Sequence, residues 1–141
     1  MFPGSAAVSF CRAPGRVNLI GEHTDYNGLP VLPMTIDREI YIAFSPHNDG
    51  RVELRSADSR FPPASFENQR VIPRGPDGLW SNYCRAAVQA LNKHFLPESF
   101  PGMSILATGS ISPAAGLSSS SALVVTSALA YLRVIDKKLD I

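Results

Sequence analysis

The sequence predicts one α+β domain built on a mostly antiparallel sheet. Alternating apolar residues recur through the first 56 positions, two segments with helical spacing follow position 80, and strands and helices do not alternate regularly. A doubly wound parallel sheet requires that alternation, so its absence favours antiparallel strands packed with helices. The length of 141 residues suits one domain or a fragment of a longer protein.

Four strands are expected in the first 56 residues. Residues 8–12 have an extended, alternating character, and residues 29–36 form a second strand whose two prolines place it at an edge or a bulge. Residues 39–45 alternate apolar and polar side chains, and a turn at 46–50 leads to a further run at 52–56. A turn between two such runs predicts that they pair antiparallel.

The second half of the chain predicts two helices around a buried strand. A loop over 59–78 without recognisable chemistry precedes a helix that Ser81 caps and whose apolar residues recur every four positions. A buried strand over 103–108 and a loop over 109–116 follow. The last helix begins in the serine run and continues through Ile135. Because its apolar residues lie on more than one face, we expect it to be largely buried.

Charge and composition narrow the class of partner. Thirteen basic and twelve acidic residues give a net charge of +1, and no Lys/Arg cluster occurs, so we expect no nucleic-acid partner. No apolar run is long enough to span a bilayer, and the first ten residues do not resemble a secretion signal, so we expect no membrane partner. Cys11 and Cys84 lack metal-binding spacing, and buried reduced thiols in a cytoplasmic protein are the simplest account.

A polar cluster interrupts the predicted strands at residues 13–28, which read Ala-Pro-Gly-Arg-Val-Asn-Leu-Ile-Gly-Glu-His-Thr-Asp-Tyr-Asn-Gly. Arg16, Glu22, His23 and Asp25 supply hydrogen-bond donors and acceptors within ten positions. Such a set can replace the water around a polyhydroxylated ligand. A solvated surface turn is the alternative.

A second candidate site joins the buried strand to the last helix. Residues 109–123 read Gly-Ser-Ile-Ser-Pro-Ala-Ala-Gly-Leu-Ser-Ser-Ser-Ser-Ala-Leu, and such small residues let backbone N–H groups approach an anion at the helix N-terminus. The run matches neither the P-loop nor the dinucleotide-binding glycine pattern. A helix cap with spare serines is the alternative.

Both segments resemble signatures of one family. Residues 13–28 resemble the sugar-binding signature of galactokinases, which belong to the GHMP kinases, and residues 109–121 resemble the phosphate-loop signature Pro-x-x-x-Gly-Leu-Ser-Ser-Ser of that family. The stretch Leu-Trp-Ser-Asn-Tyr-Cys-Arg at 79–85 is similar to a third galactokinase stretch, although core packing explains its aromatic residues equally well. The resemblance implies a GHMP kinase N-terminal domain over residues 1–141, with the C-terminal domain absent from this chain.

The resemblance also implies roles for individual residues. Arg16 would stabilise the transferred phosphoryl group, and Ser120 would help to hold Mg²⁺. Residues implied to bind the sugar are Arg16, Glu22, His23, Thr24 and Asp25. Residues implied to bind the nucleotide are Trp80, Ala114, Ala115, Gly116, Leu117, Ser118 and Ser119. The loop departs from galactokinases at Ala114 and Ala115, where glycines are common, and at Ser112, where many have proline.

The activity that the resemblance implies is the ATP- and Mg²⁺-dependent phosphorylation of galactose to galactose 1-phosphate. An N-acetylgalactosamine kinase and a non-catalytic sugar and ATP sensor of the same family are the alternatives. The catalytic aspartate of the family lies in a later segment than these, so we expect the 141-residue chain alone to be inactive. We also expect it to self-associate through the surface that the missing part would cover.

Overall fold

The computed structural model describes residues 7–21, 25–112 and 116–137. Over these residues the chain forms a five-stranded sheet, two α-helices and a short 3-10 turn at Asp25–Asn27. The main elements in chain order are β1 (Ser9–Ile20), β2 (Leu32–His47), β3 (Arg51–Ser56), β4 (Ala64–Glu67), α1 (Ser81–Phe95), β5 (Gly102–Gly109) and α2 (Ser119–Val134).

The sheet has the strand order β1-β2-β5-β3-β4. Neighbouring strands are antiparallel except β3 and β5, which run parallel. The predicted α+β class with a mostly antiparallel sheet is therefore confirmed. The predicted pairing of 39–45 with 52–56 is wrong, because β5 lies between β2 and β3. Strand β5 is the central strand of the sheet, and its apolar residues Met103 and Ile105 are almost fully buried.

The first two strands are longer than predicted. β1 continues to Ile20, so half of the predicted polar loop is strand, and β2 joins two predicted strands into one. Pro33 is tolerated because, among the described residues, β5 pairs with β2 only from Ile40 to His47. At Pro33 the strand is bonded to β1 alone, where a missing N–H is not costly.

Three details of the helical half also differ from expectation. The short strand β4 lies within the predicted loop over 59–78. Helix α1 begins at Ser81, but Trp80 is its N-cap residue and Ser81 is fully buried inside the helix, so the predicted serine cap is wrong. Helix α2 begins in the serine run as predicted, yet Val125 and Leu129 are exposed, so its burial is one-sided.

The main core lies between one face of the sheet and the two helices. Ile42, Phe44, Met103 and Ile105 pack there against residues of both helices, including Val88. At one end of this core, Tyr131, Asn68 and Asn92 form a buried hydrogen-bonded cluster. In the described part of the chain, no helix is long and apolar enough to span a membrane.

Candidate functional site

The two sequence segments singled out as candidate sites meet at Gly15. The backbone N–H of Arg16 donates to the carbonyl oxygen of Leu117 at 3.2 Å, and the register of β1 on β2 shifts between Pro14 and Arg16. A Cβ atom on Gly15 would lie 2.9 Å from that carbonyl oxygen and 3.1 Å from Ile111 Cδ1. Only glycine therefore allows the strand to approach the loop this closely.

A small apolar cluster also joins the segment 13–28 to the loop before α2. Ala13, Ile111 and Ala122 are buried together, and Ile40 and Leu117 pack against them. These residues come from β1, β2, the loop and the first turn of α2. This apolar cluster therefore packs the loop against β1, next to the polar end of that strand.

The loop leads into the N-terminus of α2, which no Ser118 side-chain hydrogen bond caps. Gly116 has φ +71° and Ser118 has φ 59° and ψ 35°, so the chain turns sharply before α2 begins at Ser119. The Ser118 side chain does not cap the helix, and no acidic residue lies in its first turn. The first N–H groups of a helix have no intrahelical partner, and together with the helix dipole they favour an anion. This end of α2 therefore fits a phosphate group.

A cavity of about 620 Å³ opens beside this helix end. Ser119, Ser120 and Trp80, which the sequence analysis assigned to nucleotide and metal, line it. Tyr83, Ser110 and Ser112, from the segments that the sequence singled out, also line it. Asp58, Arg60 and Phe61 line it as well, and these three were not expected from the sequence. A pocket of this size suits a nucleotide-sized ligand.

Trp80 belongs to an ordered aromatic wall of the cavity. Its indole Nε1 donates to the carbonyl oxygen of Pro62 at 2.8 Å, and its ring centroid lies 6.1 Å from that of Phe61. Phe61 and Pro62 both lie in the predicted loop over 59–78, where the sequence shows no recognisable chemistry. Trp80 is 7% exposed and belongs to the main core, so core packing and this hydrogen bond together fix the indole where it borders the cavity.

Asp58 and Arg60 form a charged pair on the same wall. The guanidinium donates to both carboxylate oxygens, at distances from 2.6 to 3.0 Å. These hydrogen bonds hold the pKa of Asp58 below its usual value, so the carboxylate stays ionised at neutral pH. An Asp-x-Arg pattern directly after a strand was the available signal for this pair, but the sequence alone does not place it beside α2.

The sugar side of the site is described only in part. The Arg16 guanidinium is exposed and donates to Asn18 Oδ1 at 2.8 Å, and Arg16 does not line the cavity. Gly116, Leu117 and Ser118 lie directly before the cavity-lining serines. Glu22, His23, Thr24, Ala114 and Ala115 lie outside the described residues, as does the side chain of Asp25.

The donors present fit phosphate better than they fit a metal ion. Ser120, which the resemblance assigns to Mg²⁺, lines the cavity. Among the described residues no group of three or more His, Cys, Asp or Glu side chains could hold a metal ion. Mg²⁺ keeps several waters and is bound through few protein ligands plus substrate phosphates, so one hydroxyl beside a phosphate site is compatible with it.

Two family models match the chain. The galactokinase galactose-binding signature matches residues 2–46, and the GHMP kinases N terminal domain matches residues 82–141. Together the two models match 105 of the 141 residues, so both halves of the chain are similar to parts of GHMP kinases. The sequence is also similar to galactokinases. Those of Candida parapsilosis and Candida maltosa are 38% and 36% identical over 138 and 141 residues.

These relatives are longer than the chain. The chain spans 27% of the Candida parapsilosis galactokinase and 64% of the Candida maltosa galactokinase, while 93% and 94% of the chain is matched. Lactococcus lactis galactokinase complexed with galactose has a similar structure, with a TM-score of 0.82 and 32% identity over 94% of this chain and 34% of that one. Methanococcus jannaschii mevalonate kinase, with a TM-score of 0.77 and 21% identity, shares the fold over 98% of this chain and 43% of its own.

Proposed function

We propose that this chain provides the sugar- and phosphate-binding part of a cytoplasmic galactokinase, which transfers the γ-phosphoryl group of ATP to the anomeric hydroxyl of galactose. The observation that carries the proposal is the contact between Arg16 N and Leu117 O, which joins the sugar signature to the phosphate loop. Two substrates that exchange a phosphoryl group must lie side by side. In this proposal residues 1–141 act as the N-terminal kinase domain.

The phosphate loop and α2 hold the nucleotide in this proposal. The free N–H groups at Ser119 and Ser120 face the phosphates, and the wall of Trp80 and Phe61 receives the base. The residues assigned to the nucleotide are Trp80, Ala114, Ala115, Gly116, Leu117, Ser118 and Ser119. Ser120 contributes a hydroxyl to Mg²⁺, which neutralises charge on the phosphates when bound.

Polar residues after β1 hold the sugar. Glu22, His23, Thr24 and Asp25 hydrogen-bond the hydroxyls of galactose, and Arg16 lies toward the transferred phosphoryl group. A fixed set of such groups rejects sugars whose hydroxyls point elsewhere, because its own donors and acceptors would stay unpaired. The guanidinium of Arg16 matches the geometry of phosphoryl oxygens and stabilises their charge.

Calorimetry with the 141-residue chain tests the sugar assignment. We expect galactose to bind more tightly than glucose or N-acetylgalactosamine. Asp25→Ala weakens galactose binding about 10- to 150-fold, equivalent to about 1.5–3 kcal/mol for a hydrogen bond to a charged group, and leaves ATP binding unchanged. Asp37→Ala is the control, because Asp37 is a 94% exposed carboxylate on β2. Equal loss of both ligands in Asp25→Ala, or tighter binding of N-acetylgalactosamine, would contradict the assignment.

A further inference from the structure

A second group of reactive side chains lies on the sheet face that the helices do not cover. His47, at the end of β2, approaches Ser104 on β5 with 3.3 Å between Nε2 and Oγ. The other ring nitrogen, Nδ1, lies 2.6 Å from Asp49 Oδ1. Neither Ser104 nor His47 lines the cavity described above. Serine, histidine and aspartate are thus connected in the order that activates a serine nucleophile.

The hydrogen bonds to Asp49 bear on which ring nitrogen of His47 donates to it. The backbone N–H of Arg51 donates to the same Asp49 oxygen at 2.9 Å. This bond, together with the contact to His47, holds the pKa of Asp49 below its usual value, so the carboxylate is ionised and can only accept. In the tautomer that donates from Nδ1 to Asp49, His47 presents the lone pair of Nε2 to Ser104, which is the arrangement that a general base requires.

The sheet is shaped to admit this arrangement. His47 pairs with Gly102 across the β2–β5 ladder, and Ser104 follows two residues later on the same face. A Cβ atom on Gly102 would lie 2.6 Å from both His47 Nδ1 and Asp49 Oδ1. The imidazole and carboxylate are therefore packed directly over bare backbone, which restricts their positions.

We propose that Ser104, with His47 as its general base and Asp49 orienting the imidazole, accepts acyl groups from activated carboxylic esters. The Ser104 hydroxyl proton moves to His47 Nε2 while Oγ bonds to the acyl carbon. The ester C–O bond then breaks, and the departing alkoxide takes the proton from Nε2. The products are an acylated Ser104 and a free alcohol.

The backbone around Ser104 affects the rates at which the acyl-serine forms and is hydrolysed. β5 is paired on both edges at this residue, with Ser45 on one side and Glu53 on the other. Its backbone N–H groups are therefore committed to the sheet and cannot stabilise an oxyanion. Loss of one such donor lowers the rate of each acyl-transfer step by about 10²- to 10³-fold. Only esters with a good leaving group therefore acylate Ser104, and the acyl-serine, whose own ester is not activated, is hydrolysed more slowly than it forms.

Labelling of the 141-residue chain with a fluorophosphonate probe tests the proposal, because the probe reacts with base-activated serines by loss of fluoride. We expect one adduct per chain, located on Ser104 by peptide mass spectrometry. His47→Gln and Asp49→Asn should lower the labelling rate by about 10²-fold or more. His94→Ala is the matched control, because His94 is exposed and contacts Phe95.

Circular dichroism checks that each variant is folded. Locating the adduct on the original sequence tests the proposal without any variant. A purely structural role of His47 and Asp49 in the turn would leave the labelling rate unchanged when either is replaced. The proposal is overturned if the native chain is labelled no faster than the denatured chain, if the adduct lies elsewhere, or if His47→Gln reacts at the original rate.

Discussion

Replacing Gly15 with alanine should damage both stability and nucleotide binding. The new Cβ atom would lie 2.9 Å from Leu117 O and 3.1 Å from the Cδ1 atoms of Ile111 and Ile36, so the loop or the strand must move. Overpacking of this kind costs about 1–3 kcal/mol. For a chain of this length that lowers the Tm by about 3–10 °C. A displaced loop no longer aims its N–H groups at the phosphates, and losing one hydrogen bond to a charged group weakens ATP binding tenfold or more.

Thermal unfolding and calorimetry with Mg·ATP measure the two effects separately. Gly75→Ala is the control, because its Cβ would lie 3.0 Å from Leu79 Cδ2 and 3.1 Å from Asn82 Oδ1, both of which are side-chain atoms away from the loop. We expect this control to lower the Tm without changing the affinity for ATP. The reasoning is refuted if Gly15→Ala keeps full ATP affinity, or if it is as stable as the original chain.

Three further predictions concern single side chains. Tyr131→Phe should lower the free energy of unfolding by about 1–3 kcal/mol in a denaturant titration, because it strips the buried Asn92 Oδ1 of a donor at 2.6 Å. Trp80→Phe should weaken ATP binding roughly two- to tenfold in calorimetry, because the ring loses the bond to Pro62 that orients it. Burial raises the pKa of Cys84 to about 12. We therefore expect iodoacetamide to leave this thiol unmodified at pH 8, and stability to fall as pH rises from the unfolded thiol's pKa, near 9.0, through about 12.

Local patterns predicted the fold class and most elements, because they report burial on one face of a strand or helix. Residues 103–108 form a strand and the serine run begins a helix, as expected from apolar content and spacing. The strand is buried on one face only, because Leu106 and Thr108 on the other face are exposed. Local patterns could not predict which strands pair with each other, because pairing depends on residues far apart in the sequence. β5 pairs with β2 and β3 across more than fifty residues of sequence, so a rule based on neighbouring runs assigned the wrong partner to β3.

Near the site, glycine and proline occur inside a strand, although they are typical of loops. Residues 13–20 contain Pro14 and Gly15 and were predicted to be a loop, whereas cross-strand bonds to β2 hold them in an extended form with two register shifts. The glycine is required by the approach of Leu117, which no local pattern reveals. Trp80, Ser119 and Ser120 were expected at the nucleotide and metal site from the sequence, and they do line the cavity. Asp58 and Phe61 were missed because their role depends on the fold that brings them beside α2.

The central claim is that the sugar signature and the phosphate loop form one site. The most direct test is a titration of the ¹⁵N-labelled chain with Mg²⁺ and a non-hydrolysable ATP analogue, followed by amide chemical shifts. We expect the largest shifts at Ser119 and Ser120, at the Trp80 indole, and at the Arg16 amide, which is bonded to Leu117 O at 3.2 Å. Shifts confined to residues outside this group, or none at millimolar ligand in the folded chain, would contradict the claim.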